Sequence, residues 1–115
     1  MSFLKPKKYR FAITAFALIL IGSGLLYWKV AYGVTRTWDG GGVDGTCGGA
    51  GTANNWSCAA NWSGDTAPTG SDTALFDGTS TKNATINANI SVAGIDINTG
   101  YTGTITQSGS YTVTV

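Results

Sequence analysis

The sequence predicts an all-β domain whose short strands stack lengthwise as the rungs of a solenoid, behind an apolar N-terminal helix. Three observations carry this. Fourteen of the 17 glycines follow residue 36, mixed with Thr, Ser, Asn and Asp, a turn-rich composition. The stretch 84–115 consists of short runs that alternate apolar and polar residues, as strands with one buried and one wet face do. Residues 11–28 carry no charge at all.

The apolar run comes first in the chain. Lys5, Lys7, Lys8 and Arg10 precede Phe11–Trp28. As a helix at about 1.5 Å per residue this run is about 27 Å long, close to a bilayer core of about 30 Å. The basic flank is expected to stay in the cytoplasm and the remainder to be translocated. Residues 1–33 then read in two ways. One is a signal peptide cleaved after Ala31-Tyr32-Gly33, leaving a chain that starts at Val34. The other is an uncleaved transmembrane anchor with Trp28 and Lys29 at its outer edge. Either way the run 11–28 makes the membrane the first partner, and the expected location is extracellular or at the cell surface.

Charge divides the chain at the same place. Lys5, Lys7, Lys8, Arg10, Lys29 and Arg36 lie in 1–36 without an acid. Beyond them a single base, Lys82, stands against Asp39, Asp44, Asp65, Asp72, Asp77 and Asp96. The net charge of +1 is therefore the balance of +6 before residue 37 and −5 after it. The acidic part would repel phosphate, so nucleic acid is not an expected partner. The chain has no His and no Glu, which excludes His-based triads, His-ligated zinc and a Glu general acid. No cofactor, metal or catalytic residue is expected, and the chain reads as non-catalytic. A retaining glycosidase would need two carboxylates about 5–5.5 Å apart, and the six aspartates all sit in turn-like contexts.

Two cysteines, Cys47 and Cys58, lie on the translocated side. An even pair in an oxidising compartment most simply forms one disulfide, here closing a Gly-rich loop. The alternative, a reactive thiol, requires a base nearby, and no Lys or His is close in sequence. Asp39 and Asp44 among glycines invite comparison with a calcium loop. Their spacing of five lacks the alternation such a loop uses, and Asx turns account for Asp among glycines. Asn55, Asn61, Asn83 and Asn89 each begin Asn-x-Ser/Thr, which is read here as composition rather than glycosylation.

The segment 34–78 is Trp- and Gly-rich: Trp38-Asp39-Gly40-Gly41, Asn55-Trp56, Ala60-Asn61-Trp62, then Pro68, Asp72 and Leu75-Phe76. This order of motifs resembles the opening of bacterial surface proteins with passenger-type parallel β-helices, including those with autotransporter-associated β-strand repeats. The resemblance covers about 37–115. It implies a right-handed parallel β-helix of structural or adhesive role, with no catalytic residue to carry over. Surface glycans or other cell-surface proteins are the partners it implies.

Two readings of Trp38, Trp56 and Trp62 remain open. An open solenoid end exposes unpaired backbone and an unlidded core. Aromatics burying about 150–250 Å² each would plug it. Exposed, the same residues would form a platform for sugar rings, making the domain a carbohydrate-binding module.

The segment 79–115 supplies the first rungs: Ala84-Thr-Ile86, Ile90-Ser-Val92, Ile95-Asp-Ile97, Thr104-Ile105-Thr106 and Tyr111–Val115, separated by turns such as Asn98-Thr-Gly100. The runs 94–101 and 109–115 echo each other and are expected to lie one coil apart. About three units are needed to bury a continuous repeat core. The chain stops in a strand, so it reads as the N-terminal piece of a longer protein or as an incomplete gene product. A small β-sandwich is the alternative fold.

Overall fold

The structure, a computed structural model, describes residues 32–115. The signal-peptide and anchor readings concern the segment 1–33 and lie outside the described residues but for its last two. No helix among the described residues is long and apolar enough to cross a membrane.

Strands are the main regular structure of the described part. β1 is Thr35–Thr37, β2 Thr73–Phe76, β3 Ala84–Ile86, β4 Ile90–Ser91, β5 Gly94–Ile97, β6 Ile105–Gln107 and β7 Val113–Thr114. Helix is confined to α1, Asp44–Cys47, and a 3₁₀ turn, Ala59–Asn61. The strands group as β1-β2-β5, β3-β6 and β4-β7, and every pair is parallel. The chain meets the three ladders in the same order twice, as β2, β3, β4 and then β5, β6, β7.

Register is regular. Thr73 faces Gly94 and Ala84 faces Ile105, each 21 residues on, while Ile90 faces Val113, 23 residues on. Backbone bonds carry the stacking past the strand ends: Asn98 N donates to Phe76 O at 2.8 Å, Ser108 N to Ile86 O at 3.0 Å and Val92 N to Thr114 O at 3.0 Å. The expected echo between 94–101 and 109–115 is therefore not the pairing. Gly94–Ile97 lies on Thr73–Phe76, and Val113–Thr114 on Ile90–Ser91. The echo misleads because it matches runs on different ladders, and alternation alone cannot distinguish them.

β1 pairs with β2 across 38 residues, Thr35 with Thr73, because the segment 38–72 is inserted between them. Within that insert, Asn55 bridges in parallel to Thr85 and so adds a level to the β3 ladder. The division at 78/79 expected from composition falls inside the sheet, since β2 on one side of it pairs with β5 on the other.

The core follows from the register. Alternate residues of each strand point inward, so Ala74, Phe76, Ala84, Ile86 and Val92 are buried beneath Trp38, Trp56 and Trp62. Ile95, Tyr101 and Ile105 from the following level are partly buried against them. Turn geometry is equally tight. At the corner after β2 and β5, a Cβ on Gly100 would lie 2.7 Å from Gly78 N and 2.9 Å from its Cα. Only glycine lets these two turns stack at that distance.

Candidate functional site

Trp38, Trp56 and Trp62, singled out in the sequence, come together in one core cluster beside β1. Trp38 leaves β1 and forms an antiparallel bridge with Trp62. Ser63 N then donates to Thr37 O at 2.8 Å, and Thr37 N to Ser63 Oγ at 3.0 Å. The returning chain thus occupies the outer edge of β1 at Thr37, which would otherwise present unpaired groups.

The indoles fill the space behind this edge. Trp38 and Trp62 meet edge to face at 5.1 Å, and Trp56 and Trp62 at 4.7 Å. Phe76 lies 5.6–5.8 Å from all three and 5.1 Å from Tyr101. Such offset and edge contacts add to the burial itself. Exposure is 0% for Trp38, 3% for Trp56 and 0% for Trp62. The exposed sugar platform is therefore corrected: no ring face of these three residues reaches solvent, because each packs on another aromatic. The buried ring nitrogens of Trp38 and Trp62 both find backbone acceptors. Trp38 Nε1 donates to Lys82 O at 3.0 Å and Trp62 Nε1 to Trp56 O at 2.7 Å.

Asn61 and Lys82 organise the cap, and sequence reasoning did not place Lys82 here. Asn61 is fully buried and uses its whole amide. Its Oδ1 accepts from Gly42 N at 2.9 Å and Lys82 Nζ at 3.3 Å, and its Nδ2 donates to Ala53 O at 2.9 Å and Asn55 O at 3.0 Å. Lys82 comes from the chain just before β3 and reaches back into the insert. Its Nζ donates to Gly40 O at 3.1 Å and to Gly42 O, while its own carbonyl accepts from Trp38 Nε1 and, at 2.8 Å, Tyr101 OH. The signal that would have found it is its isolation as the single base after residue 36. Burial pushes the Tyr101 hydroxyl above its ordinary range.

Cys47 and Cys58 are joined by a disulfide with Cα atoms 4.9 Å apart. It ties the end of α1 to the start of the 3₁₀ turn, three residues before Asn61. Gly42 packs against this junction, and a Cβ there would fall 2.6 Å from both Asn61 Oδ1 and Cys47 Sγ.

The aspartates serve the turns. Asp39 Oδ1 accepts from Gly41 N at 3.0 Å and Asp77 Oδ1 from Thr79 N at 2.8 Å, both Asx turns. Asp44 Oδ1 accepts from Ala53 N at 2.9 Å. Hydrogen bonds from the Gly51 and Ala53 backbone hold its carboxyl below the usual range. Asp72 is the most engaged. Oδ1 accepts from Val34 N at 2.9 Å, and Oδ2 from Thr69 N at 2.9 Å and Thr69 Oγ1 at 2.8 Å. These bonds, Val34's first, bring its pKa down to about 2. No group of three His, Cys, Asp or Glu side chains suited to a metal ion occurs among the described residues.

Three of the asparagines have a shared task. Asn83 Oδ1 accepts from Thr104 N and Asn89 Oδ1 from Thr112 N, each at 2.9 Å, one level on. Asn87 exchanges bonds with Ser57, whose N donates to Asn87 Oδ1 at 3.1 Å and whose Oγ accepts from Asn87 Nδ2 at 2.8 Å. Two of the Asn-x-Ser/Thr positions, 83 and 89, thus stitch adjacent levels together.

No protein-family model, curated protein or solved structure matches the chain.

Proposed function

We propose that residues 34–115 are the capped start of a right-handed parallel β-solenoid in an exported, cell-surface protein of structural or adhesive role. The observation that carries this reading is the set of three parallel, near-constant-offset ladders visited twice in the same order. A strand connection that returns to its own sheet in parallel is right-handed in nearly all proteins, and here that connection runs through the other two ladders. The order of Trp, Gly and Asn-Trp motifs, which resembles passenger-type surface proteins, supports the same reading.

Export is supported by the basic-then-apolar segment 1–33 and by the disulfide, since such bonds persist in oxidising compartments. A non-catalytic role is supported by the absence of His and Glu from the chain and by the engagement of Asp39, Asp44, Asp72 and Asp77 with backbone N–H groups. A Thr-, Asn- and Gly-rich surface with few charges suits repetitive stacking and contact with glycans or neighbouring surface proteins.

The test is made on intact cells expressing the full chain. Antibodies against 79–115 should label them, and N-terminal sequencing of the exported form should begin near Val34 if the address is cleaved or at Met1 if it anchors. A chain held in the cytoplasm with two alkylatable thiols would overturn the proposal.

A further inference from the structure

Val34 is the point at which the chain joins the sheet. Its carbonyl accepts from Thr73 N at 3.0 Å, and its N–H donates to Asp72 Oδ1 at 2.9 Å. Tyr32 and Gly33 before it are exposed, and the buried cluster begins only at Trp38. Asp72 is the opposite case. It is only 7% exposed, and every hydrogen-bond donor on it is neutral: Val34 N on one oxygen, Thr69 N and Thr69 Oγ1 on the other. Arg36 is the other charged group that acts on this carboxyl, but its guanidinium bonds Ser63 O at 3.3 Å.

We infer that Asp72 is the docking site of a mature N-terminus: cleavage between Gly33 and Val34 turns the Val34 amide into an α-ammonium that pairs with the Asp72 carboxylate. The inference rests on the export reading above and selects its cleaved branch. Hydrolysis breaks the bond from Gly33 C to Val34 N. The oxygen of water goes to the Gly33 carboxylate and its two protons go to Val34 N. A signal peptidase acting on the translocating chain is the class of enzyme required.

The geometry for the pair is already in place. The nitrogen that donates to Asp72 Oδ1 keeps one proton on that oxygen, and Val34 is exposed, so the other two protons stay hydrated. A bond between amide and carboxylate becomes a bond between two full charges, which is shorter and stronger. Arg36 has the same sign as the new ammonium, so a raised amine pKa would be the work of Asp72. Gly33 meets two separate demands. The peptidase reads a small residue there, and in the uncut chain a Cβ at this position would collide with the Ser71 carbonyl.

The full chain is expressed in a bacterial host and its exported form purified. Its first residue should be Val34, which leaves two amines, the Val34 α-amine and Lys82 Nζ. A free N-terminus loses its proton near about pH 8. The pH dependence of Val34 acylation, read by peptide mass spectrometry, should lie at least about one pH unit higher, and Asp72→Asn should bring it back. A second measurement does not depend on the folding of Asp72→Asn. A group whose pKa is raised by folding stabilises fully below its unfolded value and ceases to do so as pH rises through its folded value. Ala31→Leu removes the other small residue the peptidase reads and keeps Val34 an amide. From about pH 8 to about pH 10 the processed chain should therefore lose more stability than Ala31→Leu in the same detergent. Tyr101 titrates in both and cancels. Gly33→Ala should give the same mature protein as the native chain, since the colliding residue has gone. A Val34 start with an α-amine that titrates near about pH 8 would overturn the pairing and leave export standing. A surface-exposed chain that begins at Met1, or anywhere but Val34, overturns the inference and also leaves export standing. A chain held in the cytoplasm overturns the export reading and the inference with it.

Discussion

The Lys82 ammonium and carbonyl bond to residues 19 to 44 positions away in sequence, and the Asn61 side chain to residues 6 to 21 positions away. Replacing Lys82 by Met keeps the stem but leaves Gly40 O, Gly42 O and Asn61 Oδ1 without the ammonium. An unmet acceptor costs about 1–3 kcal/mol, and chemical denaturation of Lys82→Met should show a loss of that size. Asp72 gives the fold an acid-sensitive point. Its folded pKa of about 2 lies below the ordinary value of 3.8. Its contribution to stability is thus complete above the unfolded pKa and disappears as pH falls through about 4 to about 2. Asp72→Asn offers one acceptor oxygen where three donors converge, so it should be less stable at neutral pH. The same variant should lose less stability than the native chain between pH 5 and pH 2. The roles of these residues are only partly legible in the sequence. Nothing local marks Asn61 as the fully bonded amide of the cap, because its partners come from loops 42 and 53–55 and from Lys82, which only the fold brings together.

Among the elements, those with period-two alternation are legible. β3, β4 and β5 lie within the expected runs, because Ala84/Ile86, Ile90/Val92 and Ile95/Ile97 alternate cleanly. β1 is not legible: Thr35-Arg36-Thr37 has no apolar member, and it becomes a strand through pairing with β2 and Ser63. α1 is also missed, since Asp44-Gly-Thr-Cys reads as a turn and makes a single helical turn. The stacked turns carry a sharper constraint than the strands. Gly100→Ala forces a methyl into the Gly78 backbone, and overpacking of this kind costs about 1–3 kcal/mol. The thermal midpoint of that variant should fall, whereas Gly45→Ala, with open space around it, should stay within about 0.5 kcal/mol of the native chain. The disulfide closes a short loop, worth about 2–3 kcal/mol in the unfolded-chain account. Denaturation with and without reductant should differ by that amount, and Cys47→Ser should remove the difference.

For the molecule as a whole, stability is distributed unevenly along the stack. The indole cap and the level of β2, β3 and β4 hold nearly all the buried residues, while β6 and β7 are largely exposed. On the solenoid reading proposed above, burial falls away from the indole cap because each level buries its neighbour. The all-β class is legible from composition and alternation. The repeat offset is not, because the residues that stack are unlike: Phe76 under Ile97, Ala84 under Ile105, Ile86 under Gln107. A search for self-similarity finds little when each level is held by inward position rather than by residue identity. The most direct measurement of the account is the strand pairing itself, read by NMR cross-strand NOEs on the isotopically labelled full chain in detergent. In-register parallel contacts are predicted between Thr85 and Thr106, between Ile90 and Val113 and between Leu75 and Asp96. Antiparallel hairpin contacts between successive strands, such as β3 with β4, in place of these would contradict it.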